Sequence, residues 1–210
     1  MTSVMCGRAA AADDVCMTTT MMEFTDRTWS GQSLTSIAAN IVKSYHDYTR
    51  EELQTLAPLA ERVVGVHGRR HAELAEVATL IGDVATDMIP HMLKEEQVLF
   101  PYVTQLEAGN APTPFFGTVK NPVRMMMLEH DRVGDLLAKL RAVTNGYTVP
   151  DDACFSYREL YRRLGELESL THEHIHVENN LYFPRAVELE ERIGKPSATA
   201  MSGHACGCGH

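Results

Sequence analysis

Cationic residues are scarce in this chain, and long apolar runs are absent. Lysine and arginine number 19 against 28 aspartates and glutamates, giving a net charge of −9. That balance argues against nucleic acid or an anionic membrane as the main partner. No apolar run approaches the roughly 18 residues that span a bilayer. The opening residues, MTSVMCGRAAAADDVC, also lack a cationic segment followed by an apolar one. We therefore expect neither a secretory signal nor a membrane span.

The chain also has few cysteines, and it lacks the alternating pattern of β-strands. There are five cysteines, an odd number, and they do not have the spacing of a disulfide framework: Cys6, Cys16, Cys154, Cys206 and Cys208. This usage predicts a reducing, cytoplasmic location. No alternating stretch of useful length is present, so the sequence predicts an all-α protein.

Apolar residues recur instead at three- and four-residue steps, as in amphipathic helices. They predict helices at about 34–66 and 70–107, a third from 121 to 145 and a fourth from about 152 towards 194. Four long helices with short connections indicate an up-down-up-down four-helix bundle. We expect the bundle to occupy residues 31–194, between a flexible arm at 1–30 and a flexible tail at 195–210.

Local signals mark where these helices should begin and bend. Ser33 is the predicted N-cap of the first helix. Asn121 followed by Pro122 predicts a cap and first position for the third. Pro58 is expected to kink the first helix, and Pro90 and Pro101 to bend or interrupt the second, because proline lacks an N–H and clashes with the preceding turn.

One motif, H-x-x-x-E-x-x-Φ-Φ-F-P with Φ a large apolar or aromatic residue, occurs twice. It begins at His91 and again at His174. Residues four apart lie on one face of a helix. His91 and Glu95 therefore point into the same space, as do His174 and Glu178, and each pair is suited to bind metal.

The motif belongs to an internal repeat. His46 and His130 are 84 residues apart, each followed by Asp, and the two motif histidines are 83 apart. Two equivalent helical hairpins would bring their matching groups together about a pseudo-twofold axis. The predicted metal ligands are His46, His91, Glu95, His130, His174 and Glu178. Two metals would then take two histidines each, with both carboxylates bridging. Imidazole and carboxylate without thiolate suit Fe, Mn or Zn and argue against a closed structural zinc site.

These segments resemble the hemerythrin-like HHE domain, and among its members the repair-of-iron-centres (YtfE/ScdA-type) proteins. The resemblance rests on HMLKEEQVLFP, HIHVENNLYFP and the preceding YHD and EHD, and covers about residues 33–190. It implies a four-helix bundle with two non-haem iron ions held by the same six residues. It also implies a histidine near the site at His67, outside the ligand set.

The resemblance implies repair of iron–sulfur clusters damaged by nitric oxide or peroxide, through iron donation or nitric oxide processing. Damaged iron–sulfur proteins would be the partners, with nitric oxide or dioxygen as small ligand, and the chain would be a monomer or weak dimer. The alternative is a sensor or carrier of dioxygen or nitric oxide with a stable di-iron centre. A zinc hydrolase ranks last, because no general base and nucleophile are evident.

The chain departs from the family at its ends. Members usually begin with a small domain bearing a Cys-Cys pair, which is absent here. Instead the chain ends with Cys206 and Cys208 between His204 and His210. We hypothesise that this tail performs part of the thiol-dependent function of the missing Cys-Cys pair, since thiolates are soft donors for iron.

Other polar and apolar residues have simpler interpretations. Asp87 and Glu129 are either acids that orient an imidazole or ordinary solvated charges. Glu96 is predicted to be a surface charge, since five residues of separation turn it away from His91. Surface or capping roles are expected for His71, His172 and His176. The segment Met125–Met127 is predicted to fill the core. Leu99–Phe100 and Tyr182–Phe183 are predicted to close the end of the bundle.

Overall fold

The computed structural model describes residues 29–110 and 112–194. Almost all of the predicted arm at 1–30, and the whole tail at 195–210 with Cys206 and Cys208, lie outside these residues. The flexibility expected of both segments, and the thiol role expected of the tail, stay predictions.

Four long helices make up the bundle. Helix α1 comprises Leu34–Ile41, a π-helical turn at Val42–His46, and Asp47–His67. Helix α2 comprises Glu73–Lys94, the π turn Glu95–Leu99, and Phe100–Glu107. Helix α3 is Lys120–Val143. Helix α4 comprises Phe155–Val177, the π turn Glu178–Tyr182, and Phe183–Gly194.

The packing order confirms the predicted architecture. Helix α1 packs against α2 and α4, and α3 packs against α2 and α4, so each helix contacts its neighbours in the chain around a closed ring. The described part of the chain contains no strand. Short connections between successive helices make neighbours antiparallel, which gives the up-down-up-down order. None of the described helices is long and apolar enough to cross a membrane.

The helix boundaries follow some of the predicted signals. Ser33 caps α1, its side chain accepting the Ser36 backbone N–H at 3.1 Å, as predicted. The predicted Asn121 cap of α3 is wrong, because α3 begins at Lys120, whose backbone N–H donates to the Thr118 hydroxyl at 3.2 Å. The Glu190 carboxylate from the end of α4 also reaches this terminus.

Glu190 ties the end of α4 to the beginning of α3. Its carboxylate accepts the backbone N–H of Val119 at 2.8 Å, the Thr118 hydroxyl at 2.8 Å and the Tyr102 hydroxyl at 2.6 Å. A carboxylate at a helix N-terminus also interacts favourably with the helix dipole. A long-range contact therefore adds to the local Thr118 contact at this terminus, and local sequence spacing does not reveal it.

The helices continue through two of the prolines, and the bends expected there stay predictions. Pro58 and Pro90 lie inside helical segments that continue through them. Pro101 and Pro184 are each the second residue after a π turn. The backbone N–H of the residue before each proline, Phe100 or Phe183, donates to the carbonyl of Glu95 or Glu178 and closes that turn. A wider turn accommodates the proline ring, which would clash with an ordinary one. Of the bend or interruption predicted at Pro101, the interruption is wrong, because the helix continues through a π turn.

The apolar interior is divided into two clusters along the bundle axis. One lies towards the α1–α2 connection and includes Leu56, Ile81 and Leu160. The other lies towards the opposite end and includes Ile37, Val103 and Phe183. Charged and imidazole side chains are buried between them, and this polar layer is where the predicted ligands lie.

His71 provides a pH-dependent link at one end of the bundle. Its Nε2 lies 2.9 Å from Asp152 in the α3–α4 connection, and its Nδ1 lies 3.1 Å from Glu73 in α2. The Asp152 carboxylate, and secondly that of Glu73, raise the pKa of His71 above its ordinary value. The link is therefore complete at a pH below the unfolded imidazole's pKa of about 6.5 and is lost as pH rises through the higher folded-state pKa.

We predict that His71→Gln lowers the melting temperature more at pH about 6 than at pH about 9. The reason is that the charged imidazole, and not its shape, holds Asp152. Thermal melts followed by circular dichroism measure the difference, with the exposed His172→Gln as the matched histidine control. A His71→Gln deficit that is equal at both pH values would contradict the charged link.

Candidate metal centre

The four helices bring all six predicted ligands to one place. Helix α1 supplies a histidine at the last residue of its π turn, and α3 supplies one from an unbroken helix. Helices α2 and α4 each supply a histidine in their last α turn and a glutamate at the first residue of the π turn. All six side chains are at most 2 % exposed: His46, His91, Glu95, His130, His174 and Glu178.

The imidazoles form two pairs across the bundle. The Nε2 atoms of His46 and His174 are 3.2 Å apart, and those of His91 and His130 are 3.0 Å apart. Two nitrogens that each lie about 2.1 Å from one ion are roughly 3 Å apart when the angle between them is near 90°. Each pair thus has the separation of two nitrogens on one metal.

The two carboxylates lie between these pairs. Glu95 Oε2 is 3.4 Å from Nε2 of both His46 and His91. Glu178 places Oε1 2.9 Å from His174 Nε2 and Oε2 3.1 Å from His130 Nε2. The side chains form two groups, and within each group one ligand atom from every residue lies within 4.8 Å of the others. The first group is His46, Glu95, His174 and Glu178, and the second is His91, Glu95, His130 and Glu178. Both glutamates belong to both groups, the arrangement of bridging ligands.

The carboxylates lack ordinary hydrogen-bond partners. Although imidazole nitrogens lie within 2.9–3.4 Å of them, none of the four oxygens takes part in a hydrogen bond of normal geometry. Burial, and secondly the nearby Glu178 carboxylate, raise the pKa of Glu95 to about 8. Two buried carboxylates so close repel each other when both are charged. A cation between them would offset that repulsion, so the donor set fits a metal centre.

Three of the four imidazoles are held from behind through Nδ1. His46 Nδ1 lies 2.7 Å from Glu96 Oε1, and His91 Nδ1 lies 3.0 Å from Glu129 Oε2. His130 Nδ1 lies 3.1 Å from the amide oxygen of Asn179. A neutral imidazole that donates its Nδ1–H outwards keeps the Nε2 lone pair facing the centre, and a carboxylate partner increases the basicity of that nitrogen.

The two outer carboxylates are themselves paired with cations. Arg50 Nη2 donates to Glu96 Oε1 at 2.5 Å, and Lys94 Nζ donates to Glu129. Opposite charge on these carboxylates keeps the pKa of both Glu96 and Glu129 below the ordinary value despite their burial. Each of these carboxylates therefore presents negative charge to its imidazole, and a cationic side chain on its solvent side compensates that charge.

Aromatic rings cover the imidazoles. Phe100 stacks on His46 and Phe183 on His130, each with centroids 5.9 Å apart, and Tyr45 stacks on His174 at 5.4 Å. Leu99 and Tyr182 are buried with them. The prediction that the Leu99–Phe100 and Tyr182–Phe183 pairs are packing residues is confirmed, but they cover this centre and do not close the end of the bundle.

Several predictions about neighbouring residues are resolved by these contacts. The prediction that Glu96 is a surface charge is wrong. Its side chain points away from His91 as expected, but this side of α2 packs against α1, and there Glu96 contacts His46. Glu129 orients an imidazole, though of His91 rather than of the adjacent His130. Asp87 instead pairs with Arg132 at 3.6 Å.

The remaining expectations fare unevenly. His172 is exposed as predicted, whereas His71 and His176 are half-buried, and the latter contacts Asn180. His67 lies at the last residue of α1, 21 residues and roughly 30 Å along the helix from His46. Its expected position near the site is therefore wrong. Met126 is buried, but Met125 and Met127 are about half exposed, so core filling is wrong for those two.

Sequence reasoning missed Glu96, Asn179, Tyr45 and the covering phenylalanines. One signal was available: Glu96 and Asn179 occupy the same position of the repeated motif, directly after the ligand glutamates. Each contacts the lone histidine of its neighbouring helix. A hydrogen-bonding side chain at the equivalent position of both motifs would have indicated a shared role for the two residues.

Comparison with known proteins places these contacts in a family. Residues 38–186 match the model of the hemerythrin HHE cation binding domain. The chain is 37% identical over 162 residues to the iron-sulfur cluster repair protein YtfE of Yersinia pseudotuberculosis, covering 77% of this chain and 70% of that relative. It is 35% identical over 166 residues to a probable iron-sulfur cluster repair protein of Haemophilus influenzae, covering 79% and 70%.

We predict that Glu96→Ala weakens Fe²⁺ binding by about 10- to 100-fold, because the imidazole of His46 loses the contact that orients it. Glu96→Gln should weaken it less, since an amide oxygen still accepts the Nδ1–H, as Asn179 does for His130. Competition with a coloured Fe²⁺ chelator measures the affinity, with exposed Glu51→Ala as the control. Equal affinity in Glu96→Ala and the control would mean that Glu96 is only a surface charge.

Proposed function

The chain belongs to the hemerythrin HHE cation-binding family, and we propose that it is a non-haem di-iron protein that repairs iron–sulfur clusters damaged by nitric oxide or oxidative stress. The observation that supports this most directly is the pair of four-residue groups sharing Glu95 and Glu178. The cluster-repair names of relatives 35–37% identical to this chain supply the proposed activity.

The composition of the ligand set supports iron. Each group offers two imidazoles and two carboxylates and no thiolate. This mixture of nitrogen and oxygen donors suits Fe, and a set of only four protein ligands leaves positions on an iron ion for a small molecule. Two groups with common carboxylates support two ions per chain, and the six ligands are the residues predicted from the repeat.

The protein residues divide the work of such a site. Glu96 and Glu129 fix the orientation of His46 and His91, and the aromatic cover excludes bulk water from the imidazoles. Bound iron would supply one-electron redox chemistry and a binding position for nitric oxide or dioxygen. In the donation route iron is the cargo, and the ligand histidines would take up protons as it leaves.

A cavity of about 340 Å³ approaches the centre from the outside. It lies between α2 and α3 and is bordered by Lys94 and Glu129, whose carboxylate touches His91. Exposed Phe115 and Met125 form its apolar rim. Damaged iron–sulfur proteins are the proposed partners, and this opening is a position from which iron or nitric oxide would pass between them and the centre.

The second candidate function is a sensor or carrier of dioxygen or nitric oxide. It is favoured by the near-complete burial of all six ligands and by the outer contacts of three histidines. Ligands held that firmly are typical of a centre that retains its metal. The two functions differ in whether iron, or only the small ligand, leaves the protein.

We predict two irons per chain in the purified protein, falling to near zero in His91→Ala or His174→Ala, because the shared carboxylates make the two positions interdependent. Elemental analysis measures the content, with His172→Ala as the control.

Glu95→Gln and Glu178→Gln should each release iron to a chelator faster, since a neutral amide is a weaker bridge. A single zinc that is unaffected by these substitutions would refute the di-iron assignment.

Repair itself is tested with a [4Fe–4S] dehydratase inactivated by nitric oxide. We predict that the iron-loaded chain restores its activity faster than an equal amount of free Fe²⁺, and that His91→Ala does not. Recovery no faster than with free Fe²⁺ would reject repair. Reversible nitric oxide binding without any recovery would favour the sensor or carrier instead.

A further inference from the structure

Tyr182 brings a buried hydroxyl to the metal centre. The residue is fully buried at the end of the α4 π turn that begins with Glu178. Its oxygen has no hydrogen-bond partner among the described residues. Other buried tyrosines find partners: Tyr102 donates to Glu190, and Tyr161 and Tyr157 contact each other at 3.2 Å.

The ring of Tyr182 contacts two of the phenylalanines that cover the imidazoles. It packs edge-to-face on Phe100 at 5.1 Å, and Phe183 lies 6.2 Å away. These two rings stack on His46 and His130, which belong to different metal-binding groups. Tyr182 is therefore connected to both metal-binding groups, through one phenylalanine ring on each side.

The environment of the hydroxyl keeps it protonated. Burial and then the carboxylates of Glu95 and Glu178, the two shared ligands, raise the pKa of Tyr182 well above its ordinary value. The group consequently keeps its proton and is a donor at neutral pH.

The internal repeat shows that packing does not require this hydroxyl. The position equivalent to Tyr182 in the other motif is Leu99, which is buried to the same extent. An apolar side chain therefore satisfies the same helical position next to a ligand glutamate. A buried hydroxyl without a partner is unfavourable, so its presence in one half only points to a role outside folding.

We propose that the Tyr182 hydroxyl donates a hydrogen bond to a small exogenous ligand, of the size of azide or nitric oxide, when that ligand binds at the metal centre. This inference rests on the proposed di-iron site. Tyr182 would act as a positioning residue that favours ligands with an electronegative end in its direction. Leu99 offers no such contact, so the otherwise repeated site would bind its ligand asymmetrically.

The test compares Tyr182→Phe with wild type and with Tyr161→Phe, a buried tyrosine in the other apolar cluster. Iron content is measured first, and azide is then titrated into the full-length, iron-loaded proteins by absorption spectroscopy. We expect unchanged iron content in both variants. The azide dissociation constant should rise about tenfold in Tyr182→Phe and stay at the wild-type value in Tyr161→Phe.

Thermal melts of the metal-free proteins provide a second readout that does not depend on iron. Tyr161→Phe should melt below wild type because it loses a hydroxyl contact, whereas Tyr182→Phe should melt at the same temperature or higher. A lower melting temperature for metal-free Tyr182→Phe would mean that its hydroxyl is satisfied within the fold, and would overturn the proposal.

The remaining outcomes also decide the matter. Loss of iron in Tyr182→Phe would show that the hydroxyl holds a ligand carboxylate and would overturn the proposal. An unchanged azide dissociation constant would do the same, and if wild type still contains two irons and repairs clusters, only this inference falls. Wild-type protein that takes up no iron would overturn both this inference and the proposed function.

Discussion

Two carboxylates buried side by side in the middle of the bundle are the constraint on which the rest of the structure depends. Glu95 and Glu178 are completely buried, and their oxygens find no ordinary hydrogen bonds. Burying an uncompensated charge is costly, so the surrounding imidazoles and a cation are what make the arrangement tolerable. The apolar clusters on either side then supply the folding free energy that holds the polar layer in place. Every other feature of the site follows from supporting this layer.

The helices and the convergence of the six residues could be predicted because they depend on local periodicity. A histidine and a glutamate four residues apart share a helix face whatever the neighbouring helix is, and the repeat spacing fixes which helices correspond. Glu96 could not be predicted in this way. Its direction relative to His91 was judged correctly, but whether that direction meets water or α1 is a property of the packed bundle. The same holds for the Glu190 carboxylate, which caps α3 from the far end of the chain.

The contacts behind the imidazoles differ between the two hairpins, and yet each metal-binding group has the same number of carboxylates behind its imidazoles. Glu96 supports His46, whereas the equivalent Asn179 supports His130 without charge. Glu129 supports His91, whereas the equivalent residue, Tyr45, stacks on His174. Each metal-binding group therefore contains one imidazole backed by a carboxylate and one that is not. A strict copy of either hairpin's outer residues would give the same count, so the two groups share the number of carboxylate-backed imidazoles, and not the identity of the residue that provides the carboxylate.

Metal binding and folding are coupled in this arrangement, because every helix contributes at least one ligand. A cation that binds the folded bundle more tightly than the unfolded chain stabilises it by mass action. If iron is also cargo, the bundle must nevertheless persist when the ions leave, with its ligands still close together. The two apolar clusters make this possible, since neither contains any of the six ligands. The donors can thus remain arranged for the next metal while imidazole–carboxylate contacts of 2.9–3.4 Å partly offset the charge that the cation neutralised.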